Sequence, residues 1–287
     1  MGETMKSISL SIFKISAPFI FAMLGSLFTE YTGTLAIFME GAIELSAFIS
    51  AIFIISTGSK VLGFIASSVI IMLIIFLTSI FVNRYKANPF LVALAINMFA
   101  EGICSFYVSN FSDTHTIAFS AFPLSNHITS DSSVVASAIA VFTTVLVFIF
   151  LQYTSYGVRL RYVGEYYEVL NIKGVSPTSY KIFSWTLAAF FASCAGNTLL
   201  FKLAAYSYGM SIGKGWIGIL AVFLGLKKPF LCLFAVFLFS IAEYGGGILQ
   251  NKIAISPTLM LSFPYITSFI LYLIYKIYMN KKDIKYY

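Results

Sequence analysis

The chain has 287 residues, of which 59% are hydrophobic and only 10% charged. Soluble domains carry about 25% charged residues, so a water-exposed globule is excluded. The formal charge of +7 is spread through short loops and the tail instead of forming one basic patch, which excludes a nucleic-acid-binding surface and points to membrane topology.

A membrane-spanning helix needs about 20 apolar residues to cross roughly 30 Å of hydrocarbon. Runs at about 10–29, 35–57, 61–82, 89–109, 133–153, 183–203, 229–248 and 258–277 meet or approach that length. A shorter run at 215–226 brings the expected number to nine. It reaches only about 18 Å at 1.5 Å per residue. It must therefore start at mid-membrane or draw its outer half from residues 206–214. The expected fold is all-α: one polytopic membrane domain over 1–287, with about nine transmembrane helices and a long polar loop at 154–183. The first run follows a weakly charged start (Glu3, Lys6, Lys14) with no clear small-residue cleavage site, and is expected to stay as a span. Gly25, Gly33 and Gly41, with Glu30 and Thr32–Thr34 between them, allow a broken helix within 10–57. Trp185 and Trp216 fall near expected span ends, where interfacial aromatics belong.

Orientation follows from Lys and Arg placement. Arg84, Lys86, Arg159, Arg161, Lys173, Lys181, Lys227, Lys228 and four tail lysines share one side, twelve in all. The other side holds Lys60, Lys202, Lys214 and Lys252. The 154–183 loop and the C-terminus are thus expected in the cytoplasm. Nine crossings put the N-terminus outside, although Lys6 and Lys14 pull mildly the other way.

Within that loop, Glu165–Lys173 is expected to form a short helix, with Glu165 and Glu168 at its start and Lys173 at its end matching the helix dipole. Tyr166, Val169 and Leu170 recur at i, i+3 and i+4 and make one apolar stripe. Gly174 stands where it can cap the C-terminus, and Ser176–Pro177 can open the next helix. An apolar stripe facing water calls for a cover, either a docked partner or the lipid headgroups.

Several polar residues lie inside apolar runs. Glu40 and Glu44 are four apart on one helical face, and Asn97 and Glu101 repeat that spacing on another. A carboxylate at the bilayer centre costs about 2.5–3.5 kcal/mol on insertion scales. These groups, with Glu243, must therefore face a cavity, a partner or a span end. Two readings stand: a polar lining to a translocation path, or ties that cap broken helices. Phe38 could stack on a base, but thirty Phe in the chain make a packing role the simpler account.

Cys104, Cys194 and Cys232 lie in apolar runs, too far apart for a CxxC motif. His115 and His127 share one polar loop with Asp113 and Asp131, which needs no metal to explain it. No metal site, cofactor or catalytic residue is expected. The segment GMSIGKG (209–215) only superficially resembles a phosphate-binding loop, because its spacing is short and Gly215 stands where a Ser or Thr should hold Mg²⁺.

Three stretches resemble one family. The run GVRLRYVGEYYEVLNIKGV, through Gly157, Arg159, Arg161, Gly164, Glu165, Gly174 and Val175, is similar to the cytoplasmic coupling loop of ABC importer permeases of the branched-chain amino acid, ribose and nucleoside class. TGTLAIFMEGAIELSAF (32–48) keeps Gly33, Ile37, Glu40, Gly41, Ala47 and Phe48 of a second family stretch, and GKGWIGILAVFLG (213–225) resembles a third. Asn97 also fits the family's fourth helix. The order is kept across most of the chain, and the resemblance is strongest to the shorter permease of nucleoside importers served by basic-membrane-protein-type lipoproteins.

The resemblance implies a bacterial inner-membrane permease subunit. Its partners would be a second, homologous permease, a cytoplasmic ATP-binding subunit carrying ATP and Mg²⁺, and an external substrate-binding lipoprotein. Arg159, Arg161, Gly164, Glu165, Glu168 and Gly174 would then couple to the ATPase, and Phe38, Glu40, Glu44, Asn97 and Glu101 would lie along the path. Nucleosides lead as solute, ahead of ribose-like sugars and branched-chain amino acids. Ala36 and Phe38 depart from the usual Asn and Gly beside that path. Tyr166, Tyr167, Val169 and Leu170 depart from the usual coupling-loop residues. The rival from another class is an ion-coupled secondary transporter titrating Glu101 or Glu243.

Overall fold

Inside a bilayer no water is present to satisfy backbone polar groups, so each apolar run closes its own hydrogen bonds as a helix. The structure is a computed structural model and describes residues 2–111, 116–118, 130–252 and 266. Its helices are α1 (Gly2–Tyr31), α2 (Met39–Thr57), α3 (Lys60–Tyr85), α4 (Pro89–Phe111) and α5 (Ser130–Tyr153), then α6 (Ser155–Tyr162) and α7 (Tyr167–Ile172), and finally α8 (Pro177–Leu203), α9 (Lys214–Leu224) and α10 (Pro229–Lys252). A short antiparallel ribbon, β1 (Thr116–Ala118) on β2 (Ala205–Ser207), adds to the all-α expectation. Among the described residues seven helices are long and apolar enough to cross a membrane, and α9 is a shorter apolar helix. Eight of the nine expected runs therefore appear as helices; the last, 258–277, lies outside the described residues except for residue 266.

Helices α1 and α8 form the centre. α8 packs on α1, α2 and α3, while α1 also meets α5, α9 and α10. Small residues let these backbones touch, the usual means of helix association in lipid. A Cβ on Gly196 of α8 would lie 2.4 Å from Ile43 O of α2, and one on Gly218 of α9 would lie 2.7 Å from Ala22 C of α1. Buried hydroxyls and an amide tie α3 to α8: Asn197 Nδ2 donates to Ser67 Oγ at 3.0 Å, and Ser68 shares a hydrogen bond with Ser193 at 2.8 Å. The outer faces of α3, α4, α5 and α10 are apolar and exposed, as lipid-facing surfaces are.

The helix break expected within 10–57 falls at residues 32–38, so α2 starts at Met39 rather than at 35. Gly33 takes φ +73° to turn the chain out of α1. The buried hydroxyls of the break are met from α8. Thr32 shares a hydrogen bond with Ser184 at 2.8 Å, and Trp185 Nε1 donates to Thr34 Oγ1 at 2.9 Å. Trp185 is thus buried beneath the break, where its indole N–H, shut away from water, needs a partner.

Candidate translocation and coupling sites

The two acidic residues of α2 face one element. Glu40 and Glu44, a helical turn apart, both point at the segment between β2 and α9. Glu44 Oε1 accepts from the Tyr206 hydroxyl at 2.6 Å and from Gly209 N–H at 2.9 Å, and its Oε2 accepts from Ser211 N–H at 3.0 Å. Glu40 accepts from Gly213 N–H at 2.6 Å and from Gly215 N–H at 2.8 Å, one on each oxygen. Every second N–H from 209 to 215 is therefore held by α2. Gly209 (φ +78°) and Gly213 (φ +84°) supply the left-handed turns that aim these donors to one side, as in an anion-binding nest. The N–H groups that a phosphate loop would offer a nucleotide are occupied internally. The likeness of 209–215 to such a loop has a structural explanation.

This clamp sits deep. α9 has 11 residues and ends at the turn that carries Lys227 and Lys228, so its N-terminus lies about 16 Å in from that basic end, near half of a 30 Å hydrocarbon layer. The half-length helix therefore starts at mid-membrane, and residues 205–213 complete the crossing. Lys214 opens α9, within electrostatic reach of Glu40. Lys202 of α8 interacts electrostatically with Glu243 and Lys214.

Asn97 of α4 performs a related task at the start of α2. Its Oδ1 accepts from Gly41 N–H at 2.8 Å and its Nδ2 donates to Ile37 O at 2.6 Å. The amide is inserted where a first-turn bond between those two groups would otherwise close. It can enter because residue 41 has no side chain: a Cβ there would lie 2.8 Å from Asn97 Cα. Phe38 is fully buried, its ring centroid 4.9 Å from that of Trp185. Glu101, one turn beyond Asn97, is exposed on the outward face of α4 among Met98, Phe99 and Phe106.

At the basic end, residues 154–176 fold as two short helices rather than one. Thr154 caps α6 by accepting from Gly157 N–H at 3.0 Å, a start signal carried by the threonine alone. The expected helix at 165–173 contracts to α7, and Gly174 closes it at φ +75°, donating to Asn171 O at 3.0 Å. Ser176 and Pro177 open α8 as expected, although Ser176 makes no side-chain cap bond. Of the apolar stripe, Leu170 packs against the core, while Tyr166 and Val169 are exposed and Ile172 is 86% exposed. Arg159, Arg161, Glu165 and Glu168 also face outward.

Gly164 fastens this loop to the bundle. Its N–H donates to Tyr31 O at 3.0 Å, and a Cβ on it would lie 2.8 Å from both Tyr31 O and Gly33 N. A cleft of about 580 Å³ opens beside the contact, lined by Glu30, Tyr31, Arg161, Glu165, Lys227 and Phe230 among others. Among the described residues no cluster of His, Cys, Asp and Glu could hold a metal ion. His115, His127 and Asp113 lie outside the described residues, as does the side chain of Asp131.

Seven helices long and apolar enough to cross a membrane, a shorter apolar helix and a polar loop braced against the first helix make this a multi-pass membrane protein. The family model described as "Branched-chain amino acid transport system / permease component" matches residues 8–276, and the chain belongs to that family. It is 23% identical to the guanosine ABC transporter permease protein NupQ of Bacillus subtilis over 274 residues, covering 88% of this chain and 86% of the relative. It is also 23% identical to the nucleoside ABC transporter permease protein NupC of Lactococcus lactis over 291 residues, covering 93% and 92%. A putative glucose ABC transporter permease protein, TsgC13 of Haloferax volcanii, is 22% identical over 280 residues, covering 87% and 85%. No solved structure matches the chain. The chain is accordingly a transport component of the ABC class, and membership implies an ATPase and a binding protein as partners.

Proposed function

We propose that the chain forms, with a second homologous permease, the translocation path of an ATP-driven nucleoside importer in a bacterial inner membrane. The observation that carries the coupling part is the 154–176 loop. Two helices at the basic end expose Val169 and Ile172 to water while Gly164 wedges the same loop onto α1. A cytoplasmic ATPase covers that apolar surface and moves it; ATP and Mg²⁺ reside on that subunit. The solute follows from the likeness to guanosine and nucleoside permeases over nearly the whole chain. A sugar is the second reading, favoured by the glucose permease relative.

Within this reading the expected path residues divide. Glu101 is the acidic group turned out from α4, where the second permease and the path lie. Glu40, Glu44, Asn97 and Phe38 shape the path from beneath by fixing the break and the 205–215 segment. An external lipoprotein delivers solute on the side of the β1–β2 ribbon.

The test is uptake of labelled guanosine by the assembled importer in vesicles, challenged with other nucleosides, free bases, ribose, glucose and leucine. Nucleosides alone should compete, and only with ATP inside. Competition by glucose or ribose would move the assignment to sugars. Uptake by this chain alone down an ion gradient would establish a secondary carrier instead.

A further inference from the structure

The coupling loop and the mid-membrane clamp lie at opposite ends of one short mechanical element, and Tyr31 bonds to both the loop and that element. Tyr31 ends α1. Its carbonyl receives the Gly164 N–H of the loop, while its hydroxyl donates to Lys227 O in the turn between α9 and α10. Its neighbour Glu30 pairs with the Lys227 side chain at 3.1 Å. The turn itself is stiff. Leu226 and Lys227 both hold left-handed φ, +52° and +60°, a conformation costly for residues with a Cβ unless the surroundings enforce it. Gly225 sits so close that a Cβ on it would lie 2.3 Å from Cys232 N.

From that turn α9 runs inward as a strut. Gly218 presses on Ala22 midway, and the far end is held by Glu40 through Gly213 and Gly215. A displacement at Gly164 therefore has a continuous route of hydrogen bonds and backbone contacts: loop, Tyr31, turn, α9, then the 205–215 segment. We infer that Tyr31 is a positioning residue that transmits motion of the coupling loop to α9, and through α9 to the mid-membrane segment clamped by Glu40 and Glu44. The inference rests on the proposed reading that an ATPase moves the loop. Its distinct content is the route. The helix-to-helix packing of α1 on α8 is a parallel connection that bypasses α9, and it leaves the Tyr31 hydroxyl without a role.

The decisive variant is Tyr31→Phe, which deletes the hydroxyl while keeping the ring and the carbonyl that Gly164 uses. In proteoliposomes holding the complete importer, ATP hydrolysis and labelled guanosine uptake are measured together. The expected result is near-normal hydrolysis with solute moved per ATP reduced at least about threefold, as suits loss of one hydrogen bond to a partly buried acceptor. Tyr156→Phe, whose ring stacks on Tyr180 in the same region, should leave the ratio unchanged. An unchanged ratio in Tyr31→Phe overturns the inference. An equal fall of hydrolysis and uptake also overturns it, since that marks a general structural role. Should Tyr31→Phe fail to assemble, Glu30→Gln is read by the same ratio, because it releases only the exposed lysine side of the junction. Absence of any ATP-driven uptake in the parent importer would refute the proposed function instead, leaving the two outcomes distinguishable.

Discussion

Replacing Glu40 by Gln tests the mid-membrane clamp at the cost of one atom's chemistry. Both Glu40 oxygens accept backbone N–H groups, from Gly213 and Gly215. An amide keeps one acceptor and turns an NH₂ toward the other donor. One buried N–H is then unsatisfied and faces a second donor. Leaving such a group unpaired costs about 1–3 kcal/mol. The neighbouring carboxylate is no substitute, since Glu44 already serves Tyr206, Gly209 and Ser211. With 1.4 kcal/mol per tenfold, the 205–215 segment should open about five-fold to a hundred-fold more often. Hydrogen exchange in detergent reads this directly, because local opening sets the exchange of those amides. Faster exchange is expected at Gly213 and Gly215, with little change in the middles of α3 and α5. The control is Glu101→Gln on the outward face of α4, which should leave exchange at 209–215 as it was. If Glu40→Gln protects these amides as well as the parent does, the carboxylate does not hold the segment and the clamp is wrong.

Three further outcomes follow from the same geometry. Asn97→Leu leaves the Gly41 N–H and Ile37 O to find each other or stay unpaired, so thermal unfolding should show a loss of about 1–3 kcal/mol; an unshifted midpoint would mean that the first turn of α2 closes without help. Gly164→Ala puts a methyl against two backbone atoms at 2.8 Å, an overpacking worth about 1–3 kcal/mol. It should lift the loop from α1 and lower uptake more than hydrolysis, and normal uptake would count against the wedge. Ile172→Asp alters a side chain that is 86% exposed, so stability should stay within about 0.5 kcal/mol while co-purification of the ATPase drops. Undiminished co-purification would show that α7 is covered by something else.

The seven long apolar helices, the break after α1, the short apolar helix α9 and the Gly174 cap were legible in the chain because each rests on neighbours in sequence. Hydrophobic length, a cap residue or a turn glycine acts within a few positions. The pairing of Glu40 with Glu44 on one face was legible for the same reason. Their partners were not. The donors that hold them lie 162 to 175 residues away, and no periodicity in either segment announces the meeting. The insertion of Asn97 into the first turn of α2, the burial of Trp185 under the break and the junction at Tyr31 share that character. Glu30–Tyr31 beside the Thr32–Thr34 break was a local sign of a polar junction, but only packing shows what it joins. Sequence determined which segments are apolar and long enough to span a membrane, since transfer free energy is a property of each segment. Tertiary structure alone decided which polar groups inside the membrane satisfy one another, because a buried donor is met by whatever acceptor the packed helices bring within 3 Å of it.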